Sequence, residues 1–447
     1  MASVLILNAT VLSVDDRNRV FAPGWVAFAE GVITGVGAMR DVPASSAFDE
    51  VIDLTGHLVM PGLVNAHTHA PMVLFRGCSE GYSLLTMDGW YNSIREPELS
   101  LIASDIGPAV ALSCAEMLLS GTTTYCDQYF FADEVAKAAG RSGIRAVIAY
   151  GIVQLGDPER AVSELRNAAN FIEQQRSADG RIIPWFGPHA PYVDNTEELI
   201  RSEVELAIKH GCGLHLHMAC GPEDNEETLR RYGLTAAVAL ERDGFFGGRV
   251  HAAHCLDLSH EDIAVFARAP AASVAHCATA GLRSGREAIC PVVDLKAAGV
   301  TVALGTDNVA ANNSYDMVAE MRVAGLVASH RQGVAQPIPA RELLRMATID
   351  GAKALGLDHR TGSLERGKAA DIIAIDLNGP GYSQSPDLEA LLIYSGSGRD
   401  VRHVWVDGEP LVRDRQLIRQ DFREIRSTYD QTYDDFWARV RAAREVA

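Results

Sequence analysis

Two pairs of histidines, each pair separated by one residue, and a single aspartate carry the clearest chemical signal in the sequence. The pairs are His67/His69 and His215/His217, and the aspartate is Asp307. Each pair ends an apolar run typical of a buried strand, and residues i and i+2 of a strand point to the same face. Two imidazoles held side by side form half of a tetrahedral zinc site. The pattern predicts a metal centre that suits Zn²⁺, with iron as a possible substitute.

Such a centre predicts hydrolytic chemistry. A bound metal lowers the pKa of its water toward about 7, so that hydroxide is available at neutral pH. Asp307, as a carboxylate beside the metal, can hold that water and accept its proton. The predicted reaction is therefore attack of a metal-bound hydroxide on an electrophilic carbon.

The elements that must position these side chains form a barrel pattern. Eight strand-like runs alternate with helical stretches over about 250 residues, which predicts an α/β protein with a (β/α)8 TIM-type barrel. The runs are Leu63–His67, Thr122–Asp127, Ala146–Gly151, Ile182–Gly187, Gly213–His217, Arg249–Cys255, Ala272–His276 and Thr301–Asp307. Active sites of such barrels lie at the C-terminal ends of the strands, and the histidines and Asp307 fall there.

The two ends of the chain have a different character. Residues 1–58 and 361–420 hold short β-rich runs separated by turn residues, and neither end has enough strands for a core alone. We expect them to pair into one small β-sandwich beside a barrel of residues 59–360. The periodic, charged stretch 421–447 predicts a C-terminal helix.

Composition narrows the class of protein. The chain has 447 residues, is 47% hydrophobic and 22% charged, and has a net charge of −18, which disfavours nucleic acid and membrane partners. Its eight cysteines are scattered and suggest free thiols in a reducing compartment. The N-terminus is typical of a strand rather than a signal peptide, and no apolar run reaches the ~18 residues of a membrane span. We expect a cytoplasmic enzyme.

A set of motifs along the chain resembles the amidohydrolase superfamily, in its subgroup of deaminases and s-triazine hydrolases. The similarity is greatest to the methylthioadenosine/S-adenosylhomocysteine deaminase branch, and the motifs occur in family order over nearly the whole chain. They are Pro61–His69, Gly121–Thr124, Gly187–Tyr192, His215–His217, Ala253–Cys255, Val274–Cys277, Leu304–Asp307 and Gly362–Asp371.

The resemblance implies a ligand set and an oligomer. It assigns one metal ion to His67, His69, His217 and Asp307, and it places His215 behind the site. Two-metal members need a bridging lysine after the fourth strand, and the segment 182–192 contains none. The resemblance also favours a homo-oligomer.

Three further residues are implied to face the reaction. By the resemblance, His254 contacts the attacking water or the developing oxyanion, and His189 contacts the substrate. Trp90, on a long insertion after the first barrel strand, offers a face on which a flat heterocycle can stack; packing in the core is the alternative.

One position departs from the family pattern. The deaminase branch has His-x-x-Glu after the fifth strand, whereas this chain has His217-Met218-Ala219-Cys220. Cys220 could be a tuned thiol that shuttles protons, or it could shape the substrate pocket while Glu223 or Asp224 replaces the lost carboxylate. The usual deaminase chemistry could also be absent.

These observations leave three functions open. The first is a metal-dependent aminohydrolase (deaminase) of an N-heterocycle such as a purine, pterin or nucleoside derivative. The second is an s-triazine-type hydrolase that displaces a leaving group other than an amine. The third is a metal-binding homologue with little catalysis, because Cys220 replaces the expected glutamate. The departure at Cys220 further suggests that the substrate is not an ordinary adenosine derivative.

Overall fold

The computed structural model describes residues 2–154, 156–176 and 180–446. The strands are β1 (Val4–Leu12), β2 (Val20–Ala29), β3 (Val32–Ala38), β4 (Glu50–Asp53), β5 (His57–Pro61), β6 (Leu63–Thr68), β7 (Thr122–Tyr129), β8 (Arg145–Ile152), β9 (Ile182–Pro188), β10 (Leu214–Met218), β11 (Val250–His254), β12 (Ala272–His276), β13 (Thr301–Leu304), β14 (Ile372–Asp376), β15 (Val401–Val406), β16 (Glu409–Arg413) and β17 (Gln416–Leu417).

Helices form much of the chain between consecutive barrel strands. They are α1 (Met87–Trp90), α2 (Glu96–Glu98), α3 (Ala103–Leu119), α4 (Ala132–Ser142), α5 (Pro158–Gln175), α6 (Glu197–His210), α7 (Pro222–Tyr232), α8 (Ala236–Arg242), α9 (His260–Arg268), α10 (Ala278–Arg283), α11 (Val292–Ala297), α12 (Met317–Gln332), α13 (Ala340–Met346), α14 (Ile349–Ala354), α15 (Leu388–Ser395) and α16 (Phe422–Val446). A 3₁₀ helix, Ala70–Phe75, follows β6.

Strands β6 to β13 form the predicted barrel. They are parallel and neighbour one another in chain order, as βα units require. Strands β6 and β13 are the first and last strands of the barrel sheet and approach each other where the Asp307 N–H donates to the His67 carbonyl at 3.0 Å. A Cβ at Gly305 would lie 2.7 Å from the His67 Cβ, so only glycine permits this approach. The prediction of a (β/α)8 barrel is confirmed.

The two termini build one mixed sheet, in the order β17-β16-β15-β14-β5-β1-β2-β3, with β4 beside β1. Its own apolar core joins residues from both ends of the chain, among them Phe28 and Trp405. The predicted pairing of the two termini is thus confirmed. The apolar run before His67 is divided at Gly62. Its residues up to Pro61 belong to this sheet, and those from Leu63 onward belong to the barrel. A Cβ at Gly62 would lie 2.0 Å from the Thr123 Oγ1.

A buried ion pair ties this sheet to the barrel. The Arg145 guanidinium, at the start of β8, donates to the Asp371 carboxylate at 3.0–3.1 Å and to Asp407 at 2.7 Å. Removing one partner of a buried pair typically costs about 3–5 kcal/mol, because the other charge is left uncompensated. The terminal sheet is therefore held against the barrel by charge as well as by apolar packing.

The C-terminal helix α16 packs on the segment that follows the first histidine pair. The Tyr429 hydroxyl donates to the Val73 carbonyl at 2.9 Å, and the Trp437 indole donates to the Leu74 carbonyl at 3.2 Å. Within the described residues no single helix is long and apolar enough to span a membrane; one bent pair, Asp88–Glu98 with Ala103–Leu119, meets the test of length and composition together.

Candidate active site

Three imidazoles and a carboxylate meet at the C-terminal end of the barrel. His67 lies in β6 and His69 directly follows that strand, His217 lies near the end of β10, and Asp307 follows β13. The His69 Nε2 lies 3.1 Å from the His217 Nε2, and the Asp307 Oδ1 lies 3.6 Å from the Nε2 of both His67 and His69. The ligand atoms of the three histidines lie within 4.8 Å of one another. The structure thus brings all four predicted ligands together.

Hydrogen bonds from the far side of each ring decide which nitrogen faces the site. The His69 Nδ1–H donates to the Gln128 carbonyl, and the His217 Nδ1–H donates to the His189 carbonyl at 2.9 Å. Both Nε2 atoms therefore carry lone pairs, and these lone pairs face each other across 3.1 Å. Two facing lone pairs repel unless a cation lies beside them. The donor set consequently fits a divalent metal ion.

The other member of the second histidine pair lies behind the site. The His67 Nδ1 is 2.8 Å from the His215 Nε2, and the His215 Nδ1 donates to the His251 carbonyl at 2.8 Å. His215 therefore accepts from His67 and leaves the His67 Nε2 free, and that atom is buried with no hydrogen-bond partner among the described residues. This is the outer position expected for His215.

Burial keeps the three imidazoles uncharged. It lowers the pKa of His67 and His217 well below the usual value, and that of His69 to about 4. Neutral imidazoles are the form that binds metal. Burial also raises the pKa of Asp307, whose carboxylate is held by the Asn308 N–H at 2.6 Å and the Asn308 amide at 2.8 Å.

His254 ends β11 beside this cluster. Its ring stacks on His217 with centroids 5.4 Å apart and lies 5.2 Å from the ring of His67. The residue has a left-handed backbone (φ 70°), and its Nδ1 is buried without a partner in the described part of the chain. A polar ring atom left free at such a site is suited to a water or a substrate.

A cavity opens above the cluster. Its walls include Trp90, His189 and Cys220, so the structure places all three predicted substrate contacts in one space. The ring of Trp90 lies 6.0 Å from that of His189, whose Nδ1 is held by Asp194. Trp90 thus presents its ring beside the site, as stacking on a heterocycle requires.

The described cavity wall has acidic side chains but no Lys or Arg. Besides Asp307, three described carboxylates line it, Glu98, Glu223 and Asp224. Glu98 is buried and accepts from the Tyr129 hydroxyl at 2.7 Å. Sequence reasoning missed Glu98 and also Gln128, whose carbonyl orients His69. Neither residue belongs to a recognisable metal or catalytic motif, so no sequence pattern pointed to them.

Cys220 faces the cavity next to Asp224. Its Sγ lies 3.3 Å from the Asp224 Oδ2, and the Cys220 N–H donates to the same oxygen at 2.9 Å. Burial and the neighbouring carboxyl raise the thiol pKa well above its usual value. The thiol therefore remains protonated at neutral pH and is not a thiolate nucleophile or base.

Because that pKa is raised and not lowered, we expect Cys220→Ser to leave the pH–rate profile unshifted between about pH 6 and 8. A thiol poised as a proton shuttle would instead give a limb that moves or disappears in the serine protein. Steady-state rates of both proteins across this range measure the difference, and a displaced limb would contradict the expectation.

Comparison with known proteins agrees with this geometry. The profile of the Amidohydrolase family matches residues 58–411. The chain is 37% identical over 446 residues to a 5'-deoxyadenosine deaminase of Methanosarcina mazei, covering 99% of this chain and 100% of the relative. It is 38% identical over 428 residues to a 5-methylthioadenosine/S-adenosylhomocysteine deaminase of Pelotomaculum thermopropionicum, covering 95% of this chain and 96% of that protein.

A solved structure shows the same architecture. The adenosine deaminase of Xanthomonas campestris with bound zinc superposes with a TM-score of 0.89 at 30% identity, covering 97% of this chain and 98% of the other. The resemblance drawn from the motifs is confirmed. The chain belongs to the amidohydrolase family and is a metal-dependent hydrolase of carbon–nitrogen bonds other than peptide bonds.

Proposed function

We propose that the protein deaminates the adenine base of a nucleoside that carries no phosphate, with one zinc ion held by His67, His69, His217 and Asp307. The protein is a metal-dependent deaminase of an N-heterocycle. The observation that carries the zinc assignment is the pair of Nε2 lone pairs that face each other across 3.1 Å below the cavity. Iron is the alternative ion, since imidazole ligands suit both metals.

The residues of the site divide the chemistry among them. Zinc, when bound there, would activate a water molecule as the nucleophile. Asp307 would accept the proton of that water, because its carboxylate lies at the metal position and inside the cavity. His254 would orient the water and stabilise the oxyanion that forms at the attacked carbon. Trp90 and His189 would hold the ring.

Two observations support an adenosine without phosphate. The relatives above are named for adenosines altered at the 5' carbon, namely 5'-deoxyadenosine, methylthioadenosine and S-adenosylhomocysteine. No Lys or Arg is among the described residues that line the cavity, so the wall offers no cation to pair with a phosphate. This proposal departs from the expectation that the substrate is not an ordinary adenosine derivative, because the relatives are named for adenosine derivatives.

An s-triazine-type hydrolase is the second candidate. The replacement of the expected glutamate by Cys220 favours it, because a good leaving group such as chloride needs no proton. A metal-binding protein with little turnover is the third. All three make different demands on leaving-group protonation, and a substrate panel therefore separates them.

We expect the zinc-loaded enzyme to release ammonia from 5'-deoxyadenosine and methylthioadenosine. For AMP we expect kcat/KM to be at least about 100-fold lower, because the described cavity wall offers no cation to pair with the phosphate and burial of an unpaired charge is costly. The measurement is ammonia release against a panel of adenosine derivatives, guanine and a pterin, with chloride release from chloro-s-triazines measured in parallel. Turnover of the triazines alone would select the second candidate, and no turnover with full metal occupancy would select the third.

We further infer a cytoplasmic homo-oligomer. The location is supported by the eight cysteines, all of which lie in described residues and are free. Light scattering of the purified protein tests the oligomer. The acidic net charge supports small molecules, rather than nucleic acid or membranes, as partners.

A further inference from the structure

Release of ammonia needs an acid near the departing amine. An amide anion is too basic to leave, so the amine must be protonated before the carbon–nitrogen bond breaks. The acid must line the cavity, and the described carboxyl groups that do so are Glu98, Glu223, Asp224 and Asp307. Asp307 is already engaged at the metal position.

Glu98 is held by other groups. Its Oε1 accepts from Tyr129 at 2.7 Å, and its Oε2 accepts from the Arg95 guanidinium at 2.9 Å. Both carboxylate oxygens of Glu98 are thus already engaged by other side chains. Of the two remaining groups, Asp224 is buried whereas Glu223 is only partly buried.

Asp224 lies where the strand-end carboxylate is missing. Its Oδ2 is 2.9 Å from the Cys220 nitrogen, 3.3 Å from the Cys220 Sγ and 3.3 Å from the Gly221 nitrogen. These contacts fix the carboxyl at the start of α7, one helical turn beyond position 220. Cys220 has a smaller side chain than the glutamate that the family pattern has at this position.

We propose that Asp224 is the catalytic acid that protonates the leaving amine, having taken over a task that position 220 cannot perform with a thiol. The inference rests on the proposed deaminase function. Burial raises the pKa of the Asp224 carboxyl above its usual value, which agrees with an acid that holds its proton until the amine departs.

The step balances with water as the only other reactant. A carbon–oxygen bond forms from water, and the carbon–nitrogen bond breaks. One hydrogen of the water ends on the ring nitrogen beside the attacked carbon. Asp224 gives its proton to the amine, which leaves as ammonia, and the second hydrogen of the water restores the Asp224 carboxyl.

A purely structural role for Asp224 is the rival explanation. As the third residue of α7, it accepts from the N–H groups of Cys220 and Gly221, as in a helix-capping box. The substitution Asp224→Asn would keep an oxygen acceptor for these N–H groups but would leave no carboxyl proton to donate. It therefore separates capping from acid catalysis.

The decisive experiment compares two leaving groups on one ring. In Asp224→Asn we expect kcat for 5'-deoxyadenosine to fall by on the order of 10² to 10⁴, the usual contribution of a general acid. For the 6-chloropurine nucleoside, whose chloride leaves without a proton, we expect a loss below about tenfold. Metal content and thermal unfolding of the variant, measured alongside, should match wild type.

Three further variants complete the test. Asp224→Glu should retain more than about 1% of wild-type deamination and at least about tenfold more than Asp224→Asn, because it keeps a carboxyl. Glu226→Gln, on the exposed face of the same helix, is the matched charge control and should behave as wild type. Glu223→Gln should lose far less deamination than Asp224→Asn.

Several results would overturn the inference. They are unchanged deamination in Asp224→Asn, an equal loss on both leaving groups, or a loss confined to Glu223→Gln. If Asp224→Asn fails to fold, Asp224→Glu decides: a folded, metal-loaded protein that deaminates no faster than about 1% of wild type would contradict the role. Wild type inert on both nucleosides would instead refute the proposed function, and this inference with it.

Discussion

Replacing His217 with alanine is expected to remove the metal and nearly all turnover. The ring supplies one of the two facing Nε2 lone pairs, and its loss leaves an incomplete ligand set. We expect metal content to fall from one ion per chain to a small fraction of that. Turnover should fall by on the order of 10⁴ or more, because activation of the water and stabilisation of its charge disappear together.

Elemental analysis of dialysed protein, with ammonia release on the same sample, measures both effects. His330→Ala is the matched control, because His330 lies exposed on α12 and should change neither quantity. Full metal occupancy in His217→Ala would contradict the ligand assignment. Two metal ions per chain in wild type would contradict the single-metal site.

The second large effect is expected at His254. His254→Asn should keep the metal but lower kcat by on the order of 10² to 10⁴, since we propose that His254 faces the water and does not ligate the ion. The structure supports a role beside the metal: the ring stacks on His217, and its Nδ1 has no partner among the described residues.

Zinc affinity and turnover rate, measured on the same His254→Asn protein, distinguish a metal ligand from a residue that acts on the water. Isothermal titration of the metal-free protein with zinc should give affinities for wild type and His254→Asn within about tenfold, whereas the rates diverge. A variant that loses zinc in step with activity would make His254 a ligand. Wild-type rates in the His254→Asn protein would show that His254 has no part in the mechanism.

Much of the fold could be predicted from local pattern. Most of the eight barrel strands are largely apolar runs with polar residues at or near their ends, and the barrel places those strand ends on one face. His67, His69, His217 and Asp307 therefore meet without any knowledge of long-range pairing. His67 and His69 are separated by one residue, and this spacing along a strand already predicts that their side chains point to the same face.

The remainder depends on contacts that local pattern does not encode. The role of the Gln128 carbonyl arises because β7 lies beside β6, and a backbone group has no signature in the sequence. Glu98 reaches the cavity only through the path of a long insertion. The division at Gly62 depends on the Thr123 side chain, which is distant in sequence. From the sequence alone, Glu223 and Asp224 are equal candidates to replace the missing carboxylate. Only the contacts of Asp224 with Cys220 distinguish it from Glu223.

The pairing of β5 with β14 has a consequence for synthesis of the protein. Residues His57–Pro61 pair with Ile372–Asp376, so about 310 residues separate the two strands along the chain. At roughly 5–20 residues per second, the ribosome needs about 15–60 s to deliver the partner. Throughout that time the nascent chain carries an apolar strand edge immediately before the first metal ligands. Chaperone binding to this edge, and metal loading that follows release from the ribosome, are the expected outcome of this order of synthesis.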